Sequence, residues 1–245
     1  MQNQYDPRTT SRIDPAISVG VPSATRDAGL RSYMLSVYNY MASGVLLTGV
    51  VALTLAMTGV AEAIFMGGGI FKYVVIFAPL IMILVMGAKM QRMSTSSMQM
   101  FFWAFAAIMG VSMSVIPLIY SGTSIATTFF ATAVAFMSLS LYGYTTKKDL
   151  SGFGTFLIMG VVGLIVVSIA NMFIQSTGLS LVISAIGVLL FAALTAYDTQ
   201  KIKSLYAHVA GTDMMGKTAI MGALTLYLDF INMFQFLLAF TGNRE

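Results

Sequence analysis

The sequence contains no cysteine, a single histidine (His208) and little charge, with only 9% of its 245 residues being Asp, Glu, Lys or Arg. Lack of cysteine removes disulfides, thiolate nucleophiles and cysteine-ligated metals together. One histidine leaves no room for a histidine-based metal site. So little charge, beside 58% hydrophobic residues and a mean hydropathy of +0.85, excludes an ordinary water-soluble domain. No nucleotide-binding glycine loop, metal-binding histidine pair or serine triad occurs, so no catalytic residue is assigned and no enzyme is expected. The net charge is +4, but the basic residues are scattered between apolar runs. They read as determinants of membrane topology and not as a nucleic-acid-binding face.

What the chain has in abundance is apolar length. Crossing hydrocarbon ~30 Å thick takes ~20 apolar residues in a helix. Seven such runs stand out, at Tyr33–Met57, Phe71–Met90, Gln99–Tyr120, Ile125–Gly143, Phe153–Ile174, Leu179–Lys201 and Thr218–Phe240. They predict an all-α membrane protein with seven transmembrane helices over residues 33–240. Residues 1–32 are polar, carry Pro7, Pro15 and Pro22, and lack the apolar core of a signal peptide, so they predict a flexible tail. Residues 241–245 form a short C-terminal tail.

Lys and Arg concentrate on the cytoplasmic side of membrane proteins. With the N-terminus inside, Arg8, Arg12, Arg26, Arg31, Lys89, Arg92, Lys147, Lys148, Lys201, Lys203 and Lys217 are cytoplasmic, and only Lys72 and Arg244 are outside. The expected orientation is therefore N-terminus in and C-terminus out. Small residues at Gly44 and Thr48, Ala131 and Ala135, and Gly160 and Gly163 are candidates for close helix packing. Pro79 and Pro117 are expected to kink their spans.

The last span holds a carboxylate, Asp229, among apolar residues, where an ionised group costs ~2.5–3.5 kcal/mol on insertion scales. Thr225, Asp229, Asn232 and Gln235 recur at spacings of four, three and three, a single polar stripe on a helix that is otherwise apolar all round. Such a helix is expected at the centre of a bundle. The candidate partner for Asp229 is Asp198, near the end of the preceding span. Two acids face to face cannot both ionise cheaply, so they would share a proton. A competing reading makes Asp198 a solvated end residue answered by Lys201, Lys89 or Arg92. Asp229 lies eleven residues beyond Thr218, ~17 Å deep at 1.5 Å per residue. The acids therefore meet only if the sixth helix continues past Lys201, toward Tyr206, or tilts.

The stretches AYDTQKIK at Ala196–Lys203 and LYLDFINMFQFLL at Leu226–Leu238, in a seven-span chain, closely resemble the bacterial branch of the transmembrane Bax-inhibitor-motif family. That resemblance implies six helices wrapped around a central C-terminal helix. It also implies that Asp198 and Asp229 form a hydrogen-bonded pair gating a pH-sensitive calcium leak in the bacterial inner membrane. A basic latch from the second helix is a further family feature, for which Lys89 and Arg92 are the available residues.

Calcium, as a permeant ion and not a cofactor, takes ~6–8 oxygen ligands. The two aspartates with Asn171, Thr225, Asn232 and Gln235 would offer it a weak, transient stopping place, as permeation requires. Alternatives stay open. A regulatory protein docking on a membrane-anchored ATP-dependent protease is one, since bacterial relatives are linked to that role. A proton-coupled cation transporter using the same acids is another. An intramembrane aspartyl protease is rejected, because Tyr227-Leu228-Asp229 lacks the glycines of that family's second motif.

Overall fold

The computed structural model describes residues 23–67, 69–89 and 92–243, and these are helical almost throughout. The helices are α1 (Ser23–Met57), α2 (Val60–Met66), α3 (Phe71–Lys89), α4 (Thr95–Met113), α5 (Gly122–Thr145), α6 (Gly154–Ile174), α7 (Thr177–Val209) and α8 (Met214–Thr241). Seven are long and apolar enough to cross a membrane, and only the short α2 is not. α2 occupies a stretch that reads from sequence as a plain linker.

Helix ends follow local chemistry. Ser94, Ser121 and Ser176 each accept a backbone N–H three residues on, capping α4, α5 and α7. Pro79 sits inside α3. Pro117 does not kink α4. The α-helix ends at Met113, and Pro117 opens a 3₁₀ turn at Ile116–Leu118, where its missing N–H costs nothing.

Two helices outrun the apolar segments that announce them. α1 has 35 residues and begins at Ser23, inside the expected polar tail; residues 1–22 of that tail, and residues 244 and 245, lie outside the described residues. α7 has 33 residues, ~50 Å at 1.5 Å per residue, and runs eight residues past Lys201. Polar residues end an apolar run without ending a helix.

α8 is the most enclosed span, with 56% of its apolar window buried against 11–39% in the other six. Tyr227 is wedged edge-on between Phe102 and Phe105 of α4, and Phe230 meets Phe129 and Phe136 of α5. α1, α4, α5 and α7 form the main contacts around α8, while α3 packs on α4 and α6 on α7 from outside. The central position expected for the last helix is thus found, but four helices and not six do most of the enclosing. One face of α8 remains half-exposed in consequence.

Of the small-residue pairs, Gly44 lies under the ring of Phe102 and Gly160 under Leu190, whereas Gly163 has open space beside it and Ala131 is exposed. The tightest backbone approach is elsewhere. A methyl group at Gly143 of α5 would overlap the carbonyl oxygen of Ala196 on α7.

Candidate functional site

Asp198 and Asp229 face each other within hydrogen-bonding range on α7 and α8, 8% and 4% exposed respectively. They meet because α7 continues to Val209, so that Asp198 stands eleven residues inside its helix. The last turns of α7 and the first turns of α8 then run side by side, with Ile202 packed on Gly222. Lys201 stands one turn from Asp198 on the same helix and is exposed. Asp229 Oδ2 has no hydroxyl, amide or backbone donor, and the other orphan among the described buried side chains is Tyr33 Oη. Tyr33 packs on Tyr206 near the end of α7, with ring centroids 5.4 Å apart.

The remaining expected site residues divide. Thr225 and Asn232 flank Asp229 on α8 and turn their donors back on their own helix, to Met221 O at 3.1 Å and Leu228 O at 2.8 Å. With Gln235 they lie on the half-exposed face of α8, alongside Met221, Leu228 and Ala239. This face turns to the side where α4 and α7 are not packed against one another along their length. The stripe is therefore a partly open face, offset from the buried Asp229, and not a fully enclosed one.

Asn171 is not part of this group. Its Nδ2 donates to Ser180 Oγ at 2.7 Å and its Oδ1 accepts from Ser176 N at 3.1 Å, fastening the α6–α7 turn. Asp198 lies twenty-one residues beyond Thr177, so that turn is ~32 Å away along α7. Lys89 and Arg92 are both exposed, and no hydrogen bond or ion pair joins either of them to Asp198 or Asp229 among the described residues. No three acidic or histidine side chains gather into a metal-binding group among the described residues.

Sequence reasoning missed the framework around Asp198. Thr199 Oγ1 meets Ser140 Oγ of α5 at 3.0 Å, and Ser140 Oγ meets Tyr38 Oη of α1 at 2.7 Å, so one hydroxyl chain joins three helices beside the pair. Gln200 holds the α5–α6 connection with both ends of its amide, accepting from Leu150 N at 2.7 Å and donating to Lys148 O at 2.8 Å. Lys203 Nζ donates to Tyr144 O at 2.7 Å and lies over the Tyr144 ring. The signal available was the polar run Asp198–Lys203 inside what is one continuous helix, on which each polar side chain has a separate duty.

Comparison with known proteins agrees with this architecture. Residues 30–245 match the family described as inhibitor of apoptosis-promoting Bax1. The chain is 48% identical to an uncharacterised protein of Rickettsia prowazekii, over 90% of this chain and 93% of the relative. It is 45% identical to an uncharacterised protein of Caulobacter vibrioides, over 89% and 92% of the two chains. It is 42% identical to the inner membrane protein YbhL of Escherichia coli, over 89% and 94%. With a family match across nearly all of its membrane region and relatives of this similarity, the chain belongs to the Bax inhibitor family of membrane proteins.

Proposed function

We propose that this protein is a pH-sensitive calcium leak of the bacterial inner membrane, gated by Asp198 and Asp229. The observation that carries the reading is the burial of two carboxyls against each other between the two most buried spans. Charges so close and so poorly hydrated cannot both be present cheaply, so the pair holds a shared proton that ties α7 to α8. When that proton leaves, repulsion favours separation of the helices. A divalent cation then compensates the two charges, and Asp229 Oδ2, which lacks a donor, is free to face it. Thr225, Asn232 and Gln235 supply further oxygens along the half-exposed face. Such a loose set suits a stopping place better than a tight calcium cage, and passage requires weak binding.

Lys201, one turn from Asp198 on α7, is a further basic candidate beside Lys89 and Arg92 for answering the pair when it is charged. The location follows the similarity to YbhL, which is named as an inner membrane protein. Calcium flux into dye-loaded proteoliposomes at a series of pH values tests the reading. Asp229→Asn replaces a titratable carboxyl by a permanently neutral amide of the same shape. Its expected effect is loss of the pH dependence, with a changed flux. If both flux and pH profile match the unmodified protein, the pair is not the gate.

A further inference from the structure

α1 and α5 both pack on α8, yet they are not packed against one another along their length. Between them lies an elongated cavity of about 710 Å³, floored by Phe230 of α8 and walled by Met34, Met41 and Val45 of α1 and Ala133 and Met137 of α5. Its lips, Leu35 on α1 and Met137 and Leu141 on α5, are exposed apolar side chains, so the cleft opens toward the lipid side of the bundle. A second cavity of about 450 Å³ continues from it, sharing Val45, Phe129 and Phe230, toward the opposite face at Tyr120 and Gly122.

The two ends of the first cavity differ. At the N-terminal end of α1 it is bounded by Arg31, with the hydroxyl-bearing residues Tyr38, Ser140 and Tyr144 nearby. Arg31 is exposed, and no ion pair or hydrogen bond engages its guanidinium among the described residues. Asp27, one turn earlier on the same helix, does not form an ion pair with it. Lys203 approaches the same end through Tyr144, whose carbonyl it binds. The charge at the mouth is thus positive, and everything deeper is apolar.

Length selects the occupant. From Arg31 to Val45 is fourteen residues, which rise ~21 Å at 1.5 Å per residue. One leaflet with its headgroup region is ~20–22 Å, half of the ~40–45 Å total thickness of a bilayer. A cavity one leaflet long, apolar in its depth and cationic at its mouth, matches a single phospholipid standing in that leaflet. An apolar peptide helix from another protein would leave Arg31 without a counter-charge.

We propose that the cleft between α1 and α5 is a binding site for one anionic phospholipid, its phosphate at Arg31 and an acyl chain against Phe230. The site does not depend on the calcium reading, because neither aspartate lines it. Tyr38 lines the cleft and also heads the hydroxyl chain through Ser140 to Thr199. A bound lipid therefore touches the framework that holds α7.

Native mass spectrometry of the full chain, released from detergent after mixing with phosphatidylglycerol or with phosphatidylcholine of the same acyl chains, tests the proposal. One phosphatidylglycerol is expected to stay bound per chain, in preference to phosphatidylcholine. Arg31→Gln is expected to weaken that retention about fivefold, the factor equivalent to ~1 kcal/mol per basic residue near an anionic surface. Ala133→Trp, which fills the cleft, is expected to reduce retention of both lipids. Arg31 is exposed and has no ion pair or hydrogen bond among the described residues, so its variant keeps the test open should Ala133→Trp fail to fold. Equal retention of the two lipids, full retention in Arg31→Gln, or a lipid-free dimer sealed along this cleft would each overturn the proposal.

Discussion

At Thr48 a single hydroxyl serves two neighbours. It donates to Ala106 O at 2.8 Å and meets Tyr227 Oη at 2.6 Å, with Thr48 2% exposed and Tyr227 fully buried. The two ends of this contact are not equivalent. Thr48→Val leaves the Tyr227 hydroxyl buried without a partner, a penalty of ~1–3 kcal/mol. Tyr227→Phe removes the hydroxyl itself and leaves Thr48 still bonded to Ala106, so it should cost less, ~0.5–1.5 kcal/mol. Unfolding in mixed detergent micelles should rank Thr48→Val below Tyr227→Phe, and the reverse ranking would show that the hydroxyl pair is not what holds this contact. Thr48 was visible in the sequence as a small residue near Gly44, but its use was not. It acts as a hydrogen-bond bridge to residues 58 and 179 positions away, and no local pattern encodes such a pairing. Asp229 was legible for the opposite reason, since a carboxylate in an apolar run is conspicuous without knowledge of any neighbour.

Among the helices, α7 is the one whose limits the sequence hid and whose limits matter most. Its apolar run ends near Lys201 while the helix continues to Val209, and only that continuation carries Asp198 inside the bundle. The same turns fasten α7 to α5. Gly143 admits the Ala196 backbone, Thr199 binds Ser140, Lys203 binds Tyr144 O, and Gln200 clasps the connection that follows α5. Within that connection Asp149 accepts the Ser151 N–H at 2.9 Å, which holds its exposed carboxyl below the usual value of 3.8. Seven spans could be counted because burial in lipid requires length, whereas these cross-links are set by helix rotation, which the near-uniform apolarity of each span conceals. Gln200→Ala removes both bonds to the connection at once. Lys147 and Lys148 lie within it, so brief trypsin treatment should cut there several times faster in the variant while α7 and α8 remain intact. An unchanged cleavage rate would mean that the connection is held by something other than Gln200.

Taken as a whole, the bundle sorts its basic residues onto one end. Tyr33 near the start of α1 packs on Tyr206 near the end of α7, Lys203 of α7 reaches the end of α5, and Gly216 of α8 lies against Thr95 at the start of α4. Arg31, Arg92, Lys147, Lys148, Lys201, Lys203 and Lys217 belong to these neighbouring ends. At the far end Asn243 bonds to Ser121 and Ser124 at the start of α5, and Lys72 is the basic residue there among those described. The alternation of the spans that was read from charge therefore has a geometric counterpart, and the positive-inside tendency predicts that the basic end faces the cytoplasm. The absence of cysteine makes this easy to check, because any introduced thiol is the only one in the chain. His208→Cys and Thr241→Cys place that thiol at exposed positions on opposite ends, one close to the α7–α8 turn and one at the end of α8. A membrane-impermeant maleimide applied to intact spheroplasts should label the protein carrying Thr241→Cys and spare the one carrying His208→Cys until the membrane is opened. The inverse pattern would turn the bundle over. Labelling of both from one side would refute an odd number of crossings, and with it the placement of α8 as a membrane-spanning core.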